Sequence, residues 1–262
     1  MAFRDIDKSD RMTLFAAFDY FQEAAISHAE SLGVGREALK SSGQMWALSR
    51  MSVLLEKRPL WKERVCVQSW PRGSEKLFAL RDYTIALGDD PNPVIRGRSA
   101  WLILDLEKRR PLRYQGLYEH IPLNEGINAL TGIPASLETH DSLQLASERK
   151  ACYSDIDYFS HVNNTRYVQW IQDAVEMDVL EQAGSIRLDI NYLREVKPGE
   201  VIQIWTMPRV FPVSPKPGPL EQSAAETGAG WSAGIAVEGR HGDDGAVFRA
   251  NLMIRNDAQS PS

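Results

Sequence analysis

The chain has 262 residues, 43% of them hydrophobic, and a formal net charge of −5. That is enough apolar material for one large or two small cores, and a net acidic chain lacks the basic field that general nucleic-acid binding needs. No stretch approaches the about 18 apolar residues of a membrane span, the N-terminus leads into charges rather than a signal peptide, and the two cysteines, Cys66 and Cys152, form no CxxC pair and no disulfide framework, so the expected setting is reducing and cytoplasmic.

The first element is a helix that starts after Thr13, a good N-cap. Phe15, Phe18, Phe21, Ala25, Ala29 and Leu32 recur at helical spacing, and Gly33 closes it. Over Met45 to Glu56, period-two alternation puts Met45, Ala47, Met51, Val53 and Leu55 on one face of a strand. Further strands are expected near 63–71, 76–87 and 94–106, separated by the turn residues Pro71-Arg72-Gly73 and Asp89-Asp90-Pro91-Asn92-Pro93. Residues 122–143 are rich in Asn, Gly, Pro, Ser and Thr and read as a linker. A strand near 146–153 then leads to a helix over about 164–182, ending at Gly184. Ile186, Leu188, Ile190 and Tyr192 alternate with polar residues as a half-buried strand, and later strands fall near 200–208, 229–239 and 245–255. Pro212 to Gly230 reads as a long loop, and the last residues as a disordered tail.

The second half repeats the first. Asp5-Ile6-Asp7 recurs 150 residues later as Asp155-Ile156-Asp157, and Gln22-Glu23-Ala24 as Gln172-Asp173-Ala174. Arg50 and Glu63 match Arg187 and Glu200 at an offset of 137. One long helix followed by antiparallel strands, done twice, has a simple solution. Each sheet wraps its own helix and the two sheets join edge to edge, which buries both apolar helix faces and removes two open edges. The expected fold is therefore α+β, a double hotdog: an N-terminal unit over 1–125, a linker over 126–143, a C-terminal unit over 144–256 and a tail over 257–262.

The chemistry-bearing stretch is Asp155-Ile156-Asp157-Tyr158-Phe159-Ser160-His161-Val162-Asn163-Asn164. It sets acidic side chains and a histidine at a helix start, where free N–H groups can meet an oxygen bearing negative charge. A carboxylate and an imidazole can then handle a proton. Arg11 stands where His161 stands, so the chemistry is expected in the second copy only.

With these residues the chain resembles the acyl-acyl-carrier-protein thioesterases of plants and bacteria. The landmarks are Trp46-Ala47-Leu48-Ser49-Arg50, Trp70-Pro71-Arg72-Gly73, Lys76 to Asp82, Ser99-Ala100-Trp101-Leu102, Asp105-Leu106-Glu107, Arg109-Arg110-Pro111, Asp157, His161-Val162-Asn163-Asn164, Tyr167 and Tyr192-Leu193-Arg194-Glu195. The resemblance implies hydrolysis of the thioester between a fatty acyl chain and the phosphopantetheine arm of acyl carrier protein, with no cofactor and no metal. It places catalytic roles on Asp157, His161 and Glu195 and substrate-binding roles on Phe159, Asn163, Asn164 and Arg194, with Asp157 orienting His161. The protein is expected to meet acyl carrier protein, neither nucleic acid nor membrane, and to act as a monomer or homodimer. The family usually carries Asn at the position of Phe159, an amide credited with positioning water or the carbonyl. Plant members place a cysteine where Val196 stands, so a cysteine nucleophile is excluded there.

Plainer readings stand beside these. His161 also reads as a helix-start histidine, Asp157 as a turn or capping residue, Glu195 as a solvated carboxylate, and Asn163 and Asn164 first of all as caps. The run Lys108, Arg109, Arg110 and Arg113 is either a solvated turn or part of a dock for an acidic carrier, with Arg166, Arg194 and Lys197 as rivals. The Phe15, Phe18 and Phe21 stripe is core first, with one end available to an acyl pocket. Gly33-Val34-Gly35-Arg36-Glu37-Ala38 follows a helix, not a strand, and is no dinucleotide fingerprint. There is no GxSxG elbow, and His28, His120, His140 and His241 lack metal-ligand spacing. Two alternatives to carrier-thioester hydrolysis remain. One is a coenzyme A thioesterase or another hotdog enzyme such as a dehydratase. The other is a non-catalytic acyl-carrier-binding module, motivated by Phe159.

Overall fold

The computed structural model describes residues 1–112, 121–124, 126–209 and 231–256. Arg113, His120, the irregular segment 212–230 and the tail 257–262 lie outside the described residues. Thr13 caps the first helix, α1 (Leu14–Ser31), by accepting the Ala16 N–H on its hydroxyl at 3.1 Å. Phe18, Phe21 and Ala25 are buried as the spacing predicts, and Phe15 is half-buried under the guanidinium of Arg166. A short helix that the sequence did not announce, α2 (Arg36–Ser41), follows.

Nine strands come next among the described residues: β1 (Gln44–Leu55), β2 (Val65–Glu75), β3 (Phe78–Leu87), β4 (Pro93–Asp105), β5 (Gln144–Lys150), β6 (Ala183–Tyr192), β7 (Val201–Arg209), β8 (Ala233–Arg240) and β9 (Ala246–Asn256). They form one antiparallel sheet in the order β2-β3-β4-β1-β6-β9-β8-β7-β5. The two halves meet where β1 pairs with β6, from Arg50 opposite Asn191 to Leu55 opposite Ile186. This is the expected α+β hotdog architecture with edge-to-edge joining.

Three local expectations are corrected. The Pro71-Arg72-Gly73 segment is a bulge inside β2, not a turn. Pairing shifts between Pro71 and Gly73, and Gly73 takes the left-handed φ of 87° that a bulge asks of glycine. The hairpin turns instead at Lys76-Leu77. In β1 the register shifts at Ser49, with Leu48 opposite Trp101 and Arg50 opposite Ala100. An extra residue flips the alternation, so Met45 and Ala47 do not share the face of Met51, Val53 and Leu55. The second helix is two pieces, α3 (Asn164–Asp173) and α4 (Met177–Glu181). The repeat offset falls from 150 at the helix to 137 at the strand, so the second copy has 13 fewer residues in which to return. A straight helix as long as α1 would run to Glu181 and leave only Gln182 to bring the chain back into β6, where the first copy has residues 32–43 for the return. The chain breaks instead, burying Val175.

Both helix systems pack on one sheet face. Met51, Val53, Leu55, Tyr83, Ile85, Ile186, Leu188, Ile190, Phe248 and Leu252 form one continuous core with α1 and α3. The aromatic rings press against glycines: a Cβ at Gly97 would sit 2.7 Å from Phe21 Cε2, and one at Gly239 would sit 2.1 Å from Phe248 Cε1.

The opposite face carries buried charge. Arg98 clasps Asp82 through two bonds of 2.6 and 2.7 Å. Glu238 accepts from Arg240 and Arg249. The segment expected as a linker lies over these groups as a strap. The Ala129 N–H binds Asp82 at 2.9 Å, Arg98 donates to the Gly132 carbonyl at 2.8 Å, and Arg50 donates to the Pro134 carbonyl at 3.2 Å. Asn191 then holds the Ala135 carbonyl and the Leu137 N–H, and Arg249 reaches the Leu137 carbonyl. The strap thus crosses β3, β4, β1, β6 and β9 in sheet order, over the seam between the halves. Its backbone groups are satisfied by sheet side chains rather than by water.

Removing the Asp82 carboxylate would leave the Arg98 guanidinium buried without its counter-charge and the Ala129 N–H without its acceptor. Asp82→Ala is predicted to cost about 3–5 kcal/mol, read as a lower urea midpoint at unchanged slope; an unchanged midpoint would contradict this role for the strap.

Candidate active site

The stretch from Cys152 to Asn163 folds as a tight knob. Residues Tyr153–Asp155 form a 3-10 turn closed by the Asp155 carboxylate, which accepts the Cys152 N–H at 2.8 Å. Asp157 N–H donates to the His161 carbonyl at 2.9 Å, and Ser160 N–H to the Asp157 carbonyl at 3.1 Å. Closing the turn requires Ser160 at φ 63°, the left-handed region. Val162 is buried and its N–H donates to the Val196 carbonyl at 2.8 Å, which fastens the knob to the segment after β6. Asn163 caps α3 by accepting from the Thr165 N–H at 2.9 Å. The Arg166 N–H binds the Asn163 carbonyl, and the Asn164 N–H is left without a partner among the described residues.

This fastening brings His161 to Glu195. Nε2 of the imidazole lies 3.1 Å from Glu195 Oε2. The histidine side chain is 18% exposed and the glutamate 44%, so the pair sits near the surface rather than in the core. Glu195 Oε1 is held by Arg109 Nη1 at 3.2 Å. Tyr167 is buried beside them, and burial raises its hydroxyl pKa above the usual tyrosine range, with the Glu195 and Asp157 charges pushing the same way. Its phenol stays protonated at working pH.

The other expected site residues are placed differently. Asp157 was expected to orient His161, but its Oδ1 accepts the Phe159 N–H at 2.8 Å, and no hydrogen bond joins it to the imidazole among the described residues. A carboxylate two residues before an N–H in a tight turn finds that donor first; Glu195 holds the imidazole instead. Phe159 is 47% exposed and meets Tyr158 edge-on with centroids 5.6 Å apart. Asn164 opens α3 and its carbonyl accepts from the Tyr192 hydroxyl at 3.2 Å. Arg194 is turned away from the pair: it donates to the Asp244 carbonyl at 2.6 Å, in the turn between β8 and β9.

Two residues of the first half reach this site. Arg36, at the start of α2, lies with its guanidinium carbon 3.7 Å from the ring centroid of Tyr158, a cation–π contact. Arg109 is the other. Nothing local in the sequence signals Arg36, and Arg109 reads there only as part of a basic run, a solvated turn or a carrier dock, with no hint of a contact to Glu195. Only the strand order, with β4 beside β1 and β1 beside β6, places their segments at the same end of the sheet as Glu195.

The first copy keeps the knob and loses the pair. Met12 N–H binds the Pro59 carbonyl at 2.8 Å, the counterpart of Val162 and Val196. At the offset of 137, Arg58 stands where Glu195 stands. It is buried, pairs with Asp7, and donates to the Met12 and Leu180 carbonyls, both at 2.9 Å. Arg11 occupies the histidine position and donates to the Ala183 carbonyl. A cavity of about 400 Å3 between the two helix starts is lined by Asp5, Tyr20, Asp155 and Arg166, but His161 and Glu195 are not among its walls. Among the described residues no cluster of His, Cys, Asp and Glu could hold a metal ion, and no helix is long and apolar enough to cross a membrane.

The Asp7 pairing has a pH signature. Burial works against ionising Asp7, but the Ser9 hydrogen bonds and the Arg58 guanidinium outweigh it and hold its pKa below the usual carboxylate value. A depressed folded pKa gives stability that is present above the unfolded value of about 4 and lost as pH falls through the folded one. Asp7→Asn is predicted to lower the urea midpoint at neutral pH and to flatten its decline below about pH 4; a parallel decline in both proteins would exclude this contribution.

Comparison with known proteins gives a consistent picture. Residues 1–116 match the family model for the acyl-ACP thioesterase N-terminal domain, and residues 139–238 match that for the C-terminal domain. A palmitoyl-acyl carrier protein thioesterase of Gossypium hirsutum is 26% identical over 77% of this chain and 52% of its own length. A dodecanoyl-acyl-carrier-protein hydrolase of Cinnamomum camphora is 25% identical over 75% of this chain and 55% of its own. The chain thus spans about half the length of the curated relatives it matches. Among solved structures, an acyl-ACP thioesterase from Bacteroides thetaiotaomicron superposes with a TM-score of 0.76 at 22% identity, covering 96% of this chain and 93% of that one. The 12:0-ACP thioesterase of Umbellularia californica gives 0.77 at 21%, covering 98% and 95%. At these identities the superpositions speak for the fold.

Proposed function

This chain belongs to the acyl-ACP thioesterase family, and from that premise we propose that it hydrolyses the thioester of fatty acyl-acyl carrier protein, releasing free fatty acid. The observation that carries the mechanism is the 3.1 Å contact between His161 Nε2 and Glu195 Oε2. A carboxylate at that distance favours the tautomer with hydrogen on Nε2 and leaves the Nδ1 lone pair to act as base. Water attacks the thioester carbonyl carbon as Nδ1 takes its proton. The tetrahedral oxyanion is met by the unpartnered Asn164 N–H at the start of α3. The C–S bond then breaks, and the proton returns from the imidazole to the departing pantetheine sulfur, giving a carboxylic acid and a thiol. Asp157 serves by shaping the knob that presents His161.

The same proposal covers the setting. Units 1–125 and 144–256 each bring a helix and part of the sheet, with 126–143 as the strap, so a monomer contains the whole site. Cys66 and Cys152 are both free and exposed, which favours a reducing compartment such as the cytoplasm. Lys108 and Arg110 are exposed beside the site and are available to an acidic carrier.

His161→Ala is predicted to lower kcat roughly 10²- to 10⁴-fold with an unchanged unfolding midpoint, and Glu195→Gln to lower it in the same direction. The double variant should be little worse than either single one, because the two act as a unit. Free-thiol release from acyl carrier protein and from acyl-coenzyme A measures this; an unimpaired His161→Ala protein rules the mechanism out.

Phe159 gives a separate prediction. Its ring is half in solvent, so Phe159→Asn should open no buried void and should leave thermal stability nearly unchanged. An amide there could hold the attacking water or the carbonyl, contacts that matter most in the transition state. Turnover is predicted to rise in single-turnover kinetics, and a slower variant of unchanged stability would show that the ring itself packs on substrate.

A further inference from the structure

We propose that Arg109, from the first half of the chain, is a positioning residue for the reaction: it holds one oxygen of Glu195 so that the other faces His161. This inference rests on the hydrolase reading above. Arg109 Nη1 is 3.2 Å from Glu195 Oε1 while Glu195 Oε2 is 3.1 Å from the imidazole, so the two partners divide the carboxylate between them. Without the first contact, a glutamate side chain 44% exposed has free rotation of its carboxyl and several other rotamers.

The backbone around Arg109 is built to deliver that side chain. The Asp105 carboxylate accepts the Glu107 and Lys108 N–H groups at 3.0 and 2.8 Å. Arg109 N–H donates to the Asp105 carbonyl at 2.9 Å, and the Asp105 N–H donates to the Arg110 carbonyl at 3.0 Å. The turn forces Arg109 to φ 52°, a conformation costly for a residue with a side chain. The guanidinium then passes Met45 Sδ at 3.4 Å to reach Glu195. An exposed ion pair of this kind returns little stability, so the strained turn is better understood through what it does to Glu195. It also makes the site composite: the pair comes from the second half, and the group that aims it comes from the first.

The rival role is carrier docking, and kinetics separate the two. Wild type, Arg109→Gln, Arg109→Lys, Glu195→Gln and the Arg109→Gln/Glu195→Gln double variant are compared on decanoyl-acyl carrier protein and on decanoyl-pantetheine, which has no protein to dock. Arg109→Gln should lower kcat roughly 10- to 100-fold on both substrates, the scale of a misplaced catalytic group, with KM little changed and the urea midpoint unmoved. Arg109→Lys, which keeps the charge, should recover part of the loss. In the Glu195→Gln background the Arg109 substitution should cost nothing further, because no carboxylate is left to aim. A rise in KM confined to the carrier substrate, a full additional loss in the double variant, or unchanged kcat in Arg109→Gln would each overturn the inference while leaving the hydrolase reading intact. A wild-type protein inactive on both substrates would overturn that reading, and this one with it.

Discussion

The pairing of Arg50–Leu55 with Ile186–Asn191 is the constraint on which the rest of the molecule depends. Alone, each half would end its sheet in a long open strand, β1 or β6, an invitation to pair with another chain. Joined, the halves form one sheet, and both helix systems fall on the same face. The joint is then covered from the other side. Arg50 and Asn191, themselves cross-strand neighbours at the seam, hold the Pro134 and Ala135 carbonyls of the strap. Buried arginines and carboxylates on a sheet face are costly unless paired, and here their pairing partners include the backbone of the segment that shields them. The strap and the polar rows beneath it depend on each other.

The seam also explains why the site can be composite. It sets the end of β4 beside the segment that follows β6, so a first-half arginine and a second-half glutamate become neighbours although 86 residues separate them. The duplicated knob serves two ends on one scaffold. Both copies keep the turn, the left-handed fourth residue at Asp10 and Ser160, and the hydrogen bond from Met12 or Val162 to the following strand segment. What differs is charge. The second copy has an imidazole facing a partly exposed carboxylate. The first has two arginines around Asp7, with Arg58 buried and donating to backbone carbonyls, including that of Leu180 in the other half. A guanidinium fixed in that way is a brace. It has no lone pair to take a proton, so the first copy secures α4, whereas the imidazole of the second keeps a nitrogen that can take one.

Much of this was legible in the sequence because local rules and the global fold agree there. The Thr13 cap, the period of α1, the alternation of β6 and the two repeat offsets all lead to the observed elements. The Asp155 to Asn164 stretch was legible because its turn is closed by its own residues. The misreadings of the fold share one cause: each was settled by where the chain must run in the sheet rather than by its local residues. The bulge at Ser49 follows from the register against β4. The break after Asp173 follows from the shorter path back to the sheet, with no glycine or proline to mark it. Pro71 and Gly73 look like a turn, yet β3 continues to pair across them. Among the site residues, His161 and Glu195 are brought together as the family resemblance implies. Asp157 is captured by a nearer donor, Arg194 by the carbonyl of Asp244, Arg36 arrives through topology alone, and Arg109, legible only as part of a basic run, is brought to Glu195 by the same topology.

Whether the His161–Glu195 pair hydrolyses acyl carrier thioesters, as proposed, or the chain only holds the carrier is the distinction that the phenyl ring of Phe159 makes worth settling first. The most direct measurement follows free thiol and free fatty acid together while the wild-type protein acts on acyl carrier proteins of medium and long chain length. Hydrolysis by this pair predicts repeated turnover, with thiol and fatty acid released in equal amounts. Tight binding of the acyl carrier with the thioester recovered intact would contradict it.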